Sequence, residues 1–137
     1  MSHVSAARFT HPVRVYWEDT DAGGVVFYAN YLKFFERART EWLRSGGHSQ
    51  HDMAEATGAI FVVTETRVRY LKPARLDDEL LITVEPIELG RARMLVSQQA
   101  WRGDTLLCEG DIAIACVDRG TFRPRRIPND ILPHPTE

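Results

Sequence analysis

The chain contains little cysteine and has no strong net charge. Only two of its 137 residues are cysteine, Cys108 and Cys116, and they form no CxxC pair and have no histidine beside them. This excludes the usual zinc-ribbon and dithiol-redox patterns and predicts two reduced, half-buried thiols. The net charge of −2 provides no general attraction to nucleic acid or to an anionic membrane.

Long apolar runs and several enzyme signatures are also missing. No segment approaches the roughly 20 apolar residues of a membrane-spanning helix. The start, MSHVSAARFTHPVRV, lacks the apolar centre of a secretory signal, so a cytoplasmic protein is expected. The sequence contains no G-x-S-x-G, no P-loop and no G-x-G-x-x-G, which argues against a serine-triad hydrolase and against these nucleotide-binding motifs.

The composition that is present suits one globular domain. The chain is 44% hydrophobic and 26% charged, with no internal repeat. We expect a single domain over residues 1–137, with its core over about 12–128 and a proline-rich C-terminal tail along the surface.

The apolar pattern changes period along the chain. Residues 12–18, PVRVYWE, alternate, with Val13, Val15 and Trp17 on one face, which predicts a half-buried strand. The following DTDAGG is typical of a loop. From about 25 to 44 the apolar side chains take helical spacing and predict one long helix with a broad apolar face: Tyr31, Phe35, Ala38 and Trp42.

A short second helix is predicted over residues 49–57, with Ser49 as its cap and Gly58 as its stop. Four alternating segments follow and predict an antiparallel meander of four strands: 59–71, 79–89, 92–102 and 105–118. Pro86 predicts a bulge or an edge position. One amphipathic helix against one antiparallel sheet is a two-layer α+β domain, and its exposed strand edges suggest pairing with a second subunit.

Two segments, YWEDTDAGGVVFYANYLKFFERARTEWLR and VRYLKPARLDDEL, resemble the hotdog-fold thioesterases of the 4-hydroxybenzoyl-CoA type. Within them the sequence is most similar to the YbgC-like branch associated with the Tol-Pal system. The resemblance implies a hotdog domain in which a five-stranded antiparallel sheet wraps a long central helix. It also implies homodimers joined through their sheet edges, often paired into tetramers, with active sites at the dimer interface and no cofactor beyond the coenzyme A of the substrate.

The resemblance assigns two functional positions. Asp21 matches the catalytic carboxylate, as a nucleophile or as a general base on water, and both routes remain open. Tyr28 matches the residue whose backbone N–H polarises the thioester carbonyl, and a helix start provides such free N–H groups. Gly23, Gly24 and Val25 are expected to line the substrate site, because glycine lets a ligand approach the backbone closely.

The same residues also have simpler, structural interpretations. Asp-x-Asp before glycines is most often only a turn. Asp19 is expected to bind backbone amides and hold the loop. Histidine is frequent in the branch at the position of Tyr28, so only the Tyr28 amide is carried over. Glu36 and Arg39 match the family's helix signature and are expected to be structural or interface groups.

Coenzyme A carries phosphates, which basic side chains favour. The candidates are Arg67, Arg69, Lys72, Arg75, Arg91 and Arg93. Arg91 and Arg93, which bracket a predicted turn, are predicted as substrate-binding residues, although a solvated sheet face is an equal alternative. Thr64, with Glu65 beside it, is predicted to reach the partner's site. No metal site is expected, because no acidic or cysteine cluster joins the histidines: His3, His11, His48, His51 and His134.

The predicted function is hydrolysis of short- to medium-chain acyl or aryl-acyl thioesters of coenzyme A, with acyl carrier protein thioesters left open. A hydratase on the same fold is disfavoured, since the motif has no histidine. The alternative is an interaction protein of the cell-envelope or phospholipid-synthesis machinery that works with acyl carrier protein, in the cytoplasm or at the inner membrane face.

Overall fold

The protein is a five-stranded antiparallel sheet with one long helix packed on its face. The structure, a computed structural model, describes residues 8–128 and 131–133. The strands are β1 (Phe9–Arg14), β2 (Ala59–Tyr70), β3 (Glu79–Leu89), β4 (Arg93–Arg102) and β5 (Thr105–Asp118). The helices are α1 (Asn30–Ser45) and α2 (Gln50–Thr57), with one 3₁₀ turn at Trp17–Asp19. The predicted α+β class and five-stranded sheet are confirmed.

The strand order is β1-β3-β4-β5-β2, and every neighbouring pair is antiparallel. The predicted four-strand meander is therefore wrong for β2, which pairs with β5 and not with β3. The two helices carry the chain across the face of the sheet before β2 begins. β2 consequently forms the edge opposite β1, and the described part of the chain provides no strand for its outer side.

The core lies between α1 and the face of the sheet that it covers. Tyr31, Phe35, Ala38 and Trp42 are buried as predicted, and Phe34 and Phe35 are fully inaccessible, but Leu32, which was expected to widen the same apolar face, is 40% exposed. The ring of Phe35 lies over Gly110 of β5. A Cβ at Gly110 would lie 3.3 Å from Phe35 Cε2 and 3.0 Å from the Arg67 carbonyl oxygen. Glycine at this position therefore lets the helix approach the sheet closely.

A buried polar cluster fastens α1 to the sheet. Gln98 of β4 is completely inaccessible, and its Nε2 donates to the carbonyl oxygens of Phe35 (3.0 Å) and Thr83 (3.3 Å). Its Oε1 accepts from Nη1 of Arg39 at 2.9 Å. Burial lowers the pKa of Arg39, and the nearby Glu36 carboxylate opposes that shift. Arg39 thus has the structural role expected for it.

Two predicted boundaries before α1 are wrong. The first strand ends at Arg14, and although Val13 and Val15 are buried, Trp17 is 79% exposed. The chain turns here because the Asp19 carboxylate accepts a hydrogen bond from the Tyr16 N–H. The long helix begins at Asn30 and not near residue 25, because the preceding residues bond to a distant segment of the chain.

The predicted cap and stop of the second helix and the predicted bulge at Pro86 are confirmed. The Ser49 hydroxyl accepts from the Asp52 N–H at 3.0 Å, and Gly58 ends α2 with φ +78°. A register shift between Pro86 and Glu88 confirms the expected bulge. The tail does not run only along the surface, since Ile131 is buried in a small cluster of α2, β2 and β5 residues: Met53, Ala59 and Cys116.

Both cysteine thiols are more deeply placed than the predicted half-buried state, and both are free. Burial raises the pKa of Cys108 to about 12, with a smaller contribution from Glu109. Burial also raises the pKa of Cys116, partly offset by Arg125. We expect neither thiol to react with a disulfide reagent at pH 8 in the native protein and both to react in denaturant. Rapid native labelling of Cys108, measured by mass spectrometry, would contradict this burial.

Candidate active site

The candidate site is the loop of residues 20–29, here called the Asp21 loop. Asp19 holds its base, because the Asp19 carbonyl oxygen accepts from the Phe27 N–H (3.0 Å) and from Asn30 Nδ2 (2.8 Å). Asp19 as a residue is only 6% exposed, and its carboxylate accepts from the Tyr16 N–H at 2.8 Å. Asp19 therefore bonds backbone amides, as the sequence predicted.

Asp21 lies at the exposed tip of this loop. Its Oδ1 accepts from the Gly23 N–H at 2.8 Å, and its own N–H donates to the Val25 carbonyl at 2.9 Å. Its Oδ2 has no hydrogen-bond partner among residues 8–128 and 131–133. The carboxylate is thus oriented through one oxygen and keeps the other available.

The two glycines after Asp21 have different reasons to be glycine. A Cβ on Gly23 would lie 3.2 Å from Asp21 Oδ1, a tight contact with the candidate catalytic group. Gly24 has φ +81°, a left-handed conformation that residues with a Cβ rarely adopt. The space around a Cβ at Gly24 would be open, so only the backbone conformation requires glycine there. Gly23 therefore leaves room for the carboxylate, and Gly24 permits the turn itself.

Tyr28 was predicted at the start of the long helix, but it lies two residues before Asn30, the first residue of α1. It belongs to a short turn that precedes the helix. That turn is closed by hydrogen bonds from the Asn30 N–H to Phe27 (2.8 Å) and from the Tyr31 N–H to Tyr28 (3.4 Å). Within the described ranges the Tyr28 N–H donates to no protein acceptor. Tyr28 is 61% exposed, and its ring lies edge-on to the ring of Tyr70, with 6.0 Å between the ring centroids.

The structure does not bring Arg91 and Arg93 to the Asp21 loop of the same chain. The loop lies beside Tyr70, which pairs with Cys108 on β5, whereas Arg93 pairs with Ala115. Cys108 and Ala115 are seven residues apart on β5, so the two places are separated by about 23 Å. Arg91 and Arg93 instead line a groove of about 570 Å³ at the other end of the sheet.

The remaining predicted residues lie on β2 and in the segment that follows it. Thr64 is the bulged residue near the middle of that strand, and its hydroxyl donates to the Ala113 carbonyl at 3.2 Å. Arg69 forms an ion pair with Glu109 at 3.4 Å. Arg75 is exposed and lies closer to the site, because its backbone forms a bridge with Val25. Only the pairing of these distant segments shows that proximity.

The described portion of the chain contains no side-chain cluster of the metal-binding kind and no helix of the membrane-spanning kind. No group of three or more histidine, cysteine or acidic side chains is arranged to hold a metal ion there. His48 and His51 belong to no such cluster, and His3 and His134 lie outside the described residues. None of the helices that the structure describes has the length and apolarity to cross a bilayer.

The fold and the Asp21 loop together define a class of protein. Residues 23–109 match the thioesterase superfamily, and the chain belongs to that superfamily. Within it, the chain is 43% identical to the acyl-CoA thioesterase YbgC of Haemophilus influenzae over 123 residues, which cover 90% of each chain. It is 32% identical to the YbgC of Helicobacter pylori over 124 residues, 84% of this chain and 90% of that one.

A solved structure supports the same assignment. The crystal structure of a probable thioesterase from Bartonella henselae superposes with a TM-score of 0.84 and 35% identity, covering 89% of this chain and all of that one. These comparisons confirm the predicted hotdog fold and the predicted resemblance to the YbgC-like branch.

Proposed function

We propose that this protein hydrolyses acyl-CoA thioesters, with Asp21 as nucleophile or general base and the Tyr28 N–H as the oxyanion donor. The observation that carries the proposal is the Asp21 loop itself. One carboxylate oxygen is fixed by Gly23, the other is available, and a free backbone N–H lies at the end of the same loop. The relatives named acyl-CoA thioesterases support the choice of substrate.

The chemistry follows from these groups. In the nucleophilic route the Asp21 carboxylate adds to the thioester carbon, and the Tyr28 N–H stabilises the oxyanion that forms. Collapse breaks the carbon–sulfur bond, expels coenzyme A as its thiolate and leaves a mixed anhydride, which water hydrolyses to the free acid and Asp21. In the general-base route Asp21 removes a proton from water, and that water adds to the carbonyl carbon directly.

The substrates of this proposal are short- to medium-chain acyl or aryl-acyl groups. Gly23, Gly24 and Val25 would line the path of the thioester, since neither glycine presents a side chain there. Tyr28 has no imidazole to shuttle protons, so proton transfer falls to Asp21 and water.

Substitution of the two glycines should separate their roles. Gly23→Ala crowds Asp21 Oδ1, so we expect kcat to fall about tenfold or more with little loss of stability. Gly24→Ala forces alanine into a left-handed conformation, which costs about 1–2 kcal/mol of stability. Thiol release and chemical denaturation of both variants measure the two effects. Equal kcat in Gly23→Ala and wild type would argue against a working Asp21.

The separation of Arg91 and Arg93 from Asp21 supports a site shared between two subunits. Antiparallel pairing of two copies along the free edge of β2 would place the Tyr70 end of one strand beside the Ala59 end of the other. The Ala59 end also carries Arg91 and Arg93, because the Cys116 N–H of β5 bonds to the carbonyl of Ala92. The partner subunit's Arg93 would then bind a phosphate of the coenzyme A whose thioester is hydrolysed at this chain's Asp21.

Hybrid dimers test this arrangement. Asp21→Asn is mixed with the double variant Arg91→Ala, Arg93→Ala after joint unfolding and refolding. If the site is shared, each hybrid dimer has one intact site, and random mixing restores about a quarter of wild-type activity. Activity no higher than the average of the two separate variants would show that each site uses its own arginines or none. Such a dimer is expected to pair into a tetramer, which light scattering measures.

A further inference from the structure

A segment that is remote in sequence braces the Asp21 loop. The Val26 N–H donates to the Ala74 carbonyl at 2.9 Å, and Val25 forms an antiparallel bridge with Arg75. Val25 in turn accepts the hydrogen bond of the Asp21 N–H at 2.9 Å. The backbone of residues 73–78, here called the brace, therefore sets the position from which Asp21 is presented.

The brace is itself held by one ion pair. Nη1 of Arg102, the last residue of β4, donates to Asp78 Oδ2 at 2.8 Å and to the Pro73 carbonyl at 3.1 Å. The same Asp78 oxygen accepts from the Arg75 N–H at 2.8 Å. Arg102 thus joins both ends of the brace to a central strand of the sheet.

The ion pair of Arg102 and Asp78 is stable at neutral pH. Both side chains are partly buried, which strengthens a charge-assisted hydrogen bond relative to an exposed one. Partial burial raises the pKa of Asp78, but the hydrogen bonds from the Arg75 N–H and from Arg102 outweigh it and leave the pKa below its ordinary value. Asp78 is therefore a carboxylate under working conditions.

A second contact supports the brace from the helix. Ala74 is fully buried, and its N–H donates to the Tyr31 hydroxyl at 3.1 Å. The brace is thus fixed from the sheet by Arg102 and from α1 by Tyr31. The Tyr31 hydroxyl holds Ala74 directly, and Arg102 holds Arg75 through Asp78. Ala74 and Arg75 are the two residues that contact the Asp21 loop.

We infer that Arg102 and Asp78 are positioning residues for thioester hydrolysis, acting on Asp21 through the brace and the backbone of Val25 and Val26. The inference rests on the proposed role of Asp21. Neither side chain contacts the Asp21 carboxylate, so their effect is on where that carboxylate stands and not on its charge.

The test compares two arginine substitutions that each remove one ion pair. Arg102→Gln releases the brace, so the Asp21 carboxylate is displaced. We expect kcat to fall by about tenfold to a hundredfold and KM to change by less than about threefold. Arg102→Lys keeps the charge, but its side chain is one atom shorter and its ammonium lies farther from the two acceptors of Nη1, so we expect its kcat to fall between those of wild type and Arg102→Gln. Arg119→Gln is the matched control, because it removes the 3.0 Å pair with Glu55 on α2 and should leave kcat unchanged.

Amide hydrogen exchange gives a readout that does not depend on turnover. In Arg102→Gln, exchange at Val26 and Asp21 is expected to accelerate relative to wild type and to Arg119→Gln. Wild-type kcat in Arg102→Gln, with Asp21→Asn inactive, would overturn the positioning role and leave the proposed function standing. If Asp21→Asn is itself as active as wild type, the proposed function fails and this inference fails with it, whatever the exchange rates show.

Discussion

Replacing Asp21 by asparagine is expected to abolish thioester hydrolysis and leave the fold intact. Asparagine keeps an oxygen that accepts from the Gly23 N–H, so the loop retains its turn. It loses the anionic oxygen that would attack the thioester or deprotonate water. We expect kcat to fall by roughly 10²- to 10⁴-fold with little change in KM, because the lost interaction is made in the transition state.

The measurement is thiol release from acyl-CoAs of increasing chain length, from an aryl-CoA and from an acyl carrier protein thioester. Asp104→Asn is the control, because it makes the same chemical change in the turn between β4 and β5. Undiminished turnover in Asp21→Asn would remove Asp21 from the mechanism. Turnover of the carrier protein thioester alone would replace coenzyme A with acyl carrier protein as the partner.

Replacing Gln98 by leucine is expected to be the most destabilising of the polar substitutions considered. Leucine fills a similar volume but leaves the half-buried Arg39 guanidinium without its hydrogen-bond acceptor. A partly buried cation that loses its hydrogen-bond acceptor costs more than a missing hydrogen bond between neutral groups. We expect the free energy of unfolding to fall by about 3 kcal/mol, measured by urea denaturation.

A second substitution distinguishes this explanation from simple repacking. Replacing both partners with apolar residues, Gln98→Leu with Arg39→Met, should recover most of the lost stability, since no charge remains to be satisfied. Gln50→Leu, which removes a part-buried hydrogen bond between two neutral side chains, should change stability by less than about 1 kcal/mol. Additive losses in the double variant would show that the cluster contributes through packing alone.

Elements governed by neighbouring residues could be predicted from the sequence. The α2 helix has its cap, its stop and its apolar face within ten residues, and β3 and β5 are bounded by turn residues on both sides. The stretch before α1 is different. Residues 25–28 have helical spacing, yet the Val26 N–H bonds to Ala74, and Trp17 leaves the strand because Asp19 captures the Tyr16 N–H.

The candidate site divides in the same way. Asp21, Gly23 and Gly24 are adjacent in sequence, so the loop that they form was predictable as a unit. The distance from that loop to Arg91 and Arg93 depends on the order of the strands, which alternation alone does not define. The pair of Arg102 and Asp78 joins the last residue of β4 to the residue just before β3, 24 positions earlier, and no local signal marks it.

The place of β2 at the far edge of the sheet has a consequence for biosynthesis. β2 is complete at Tyr70, but its neighbour β5 ends about fifty residues later. At translation rates of about 5–20 residues per second, the nascent β2 waits roughly 3–10 s for its partner. During that time its apolar face and the rings of α1 have no finished sheet to cover them. A ribosome that stalls before β5 would therefore release a chain whose exposed strand edge invites chaperone capture or aggregation.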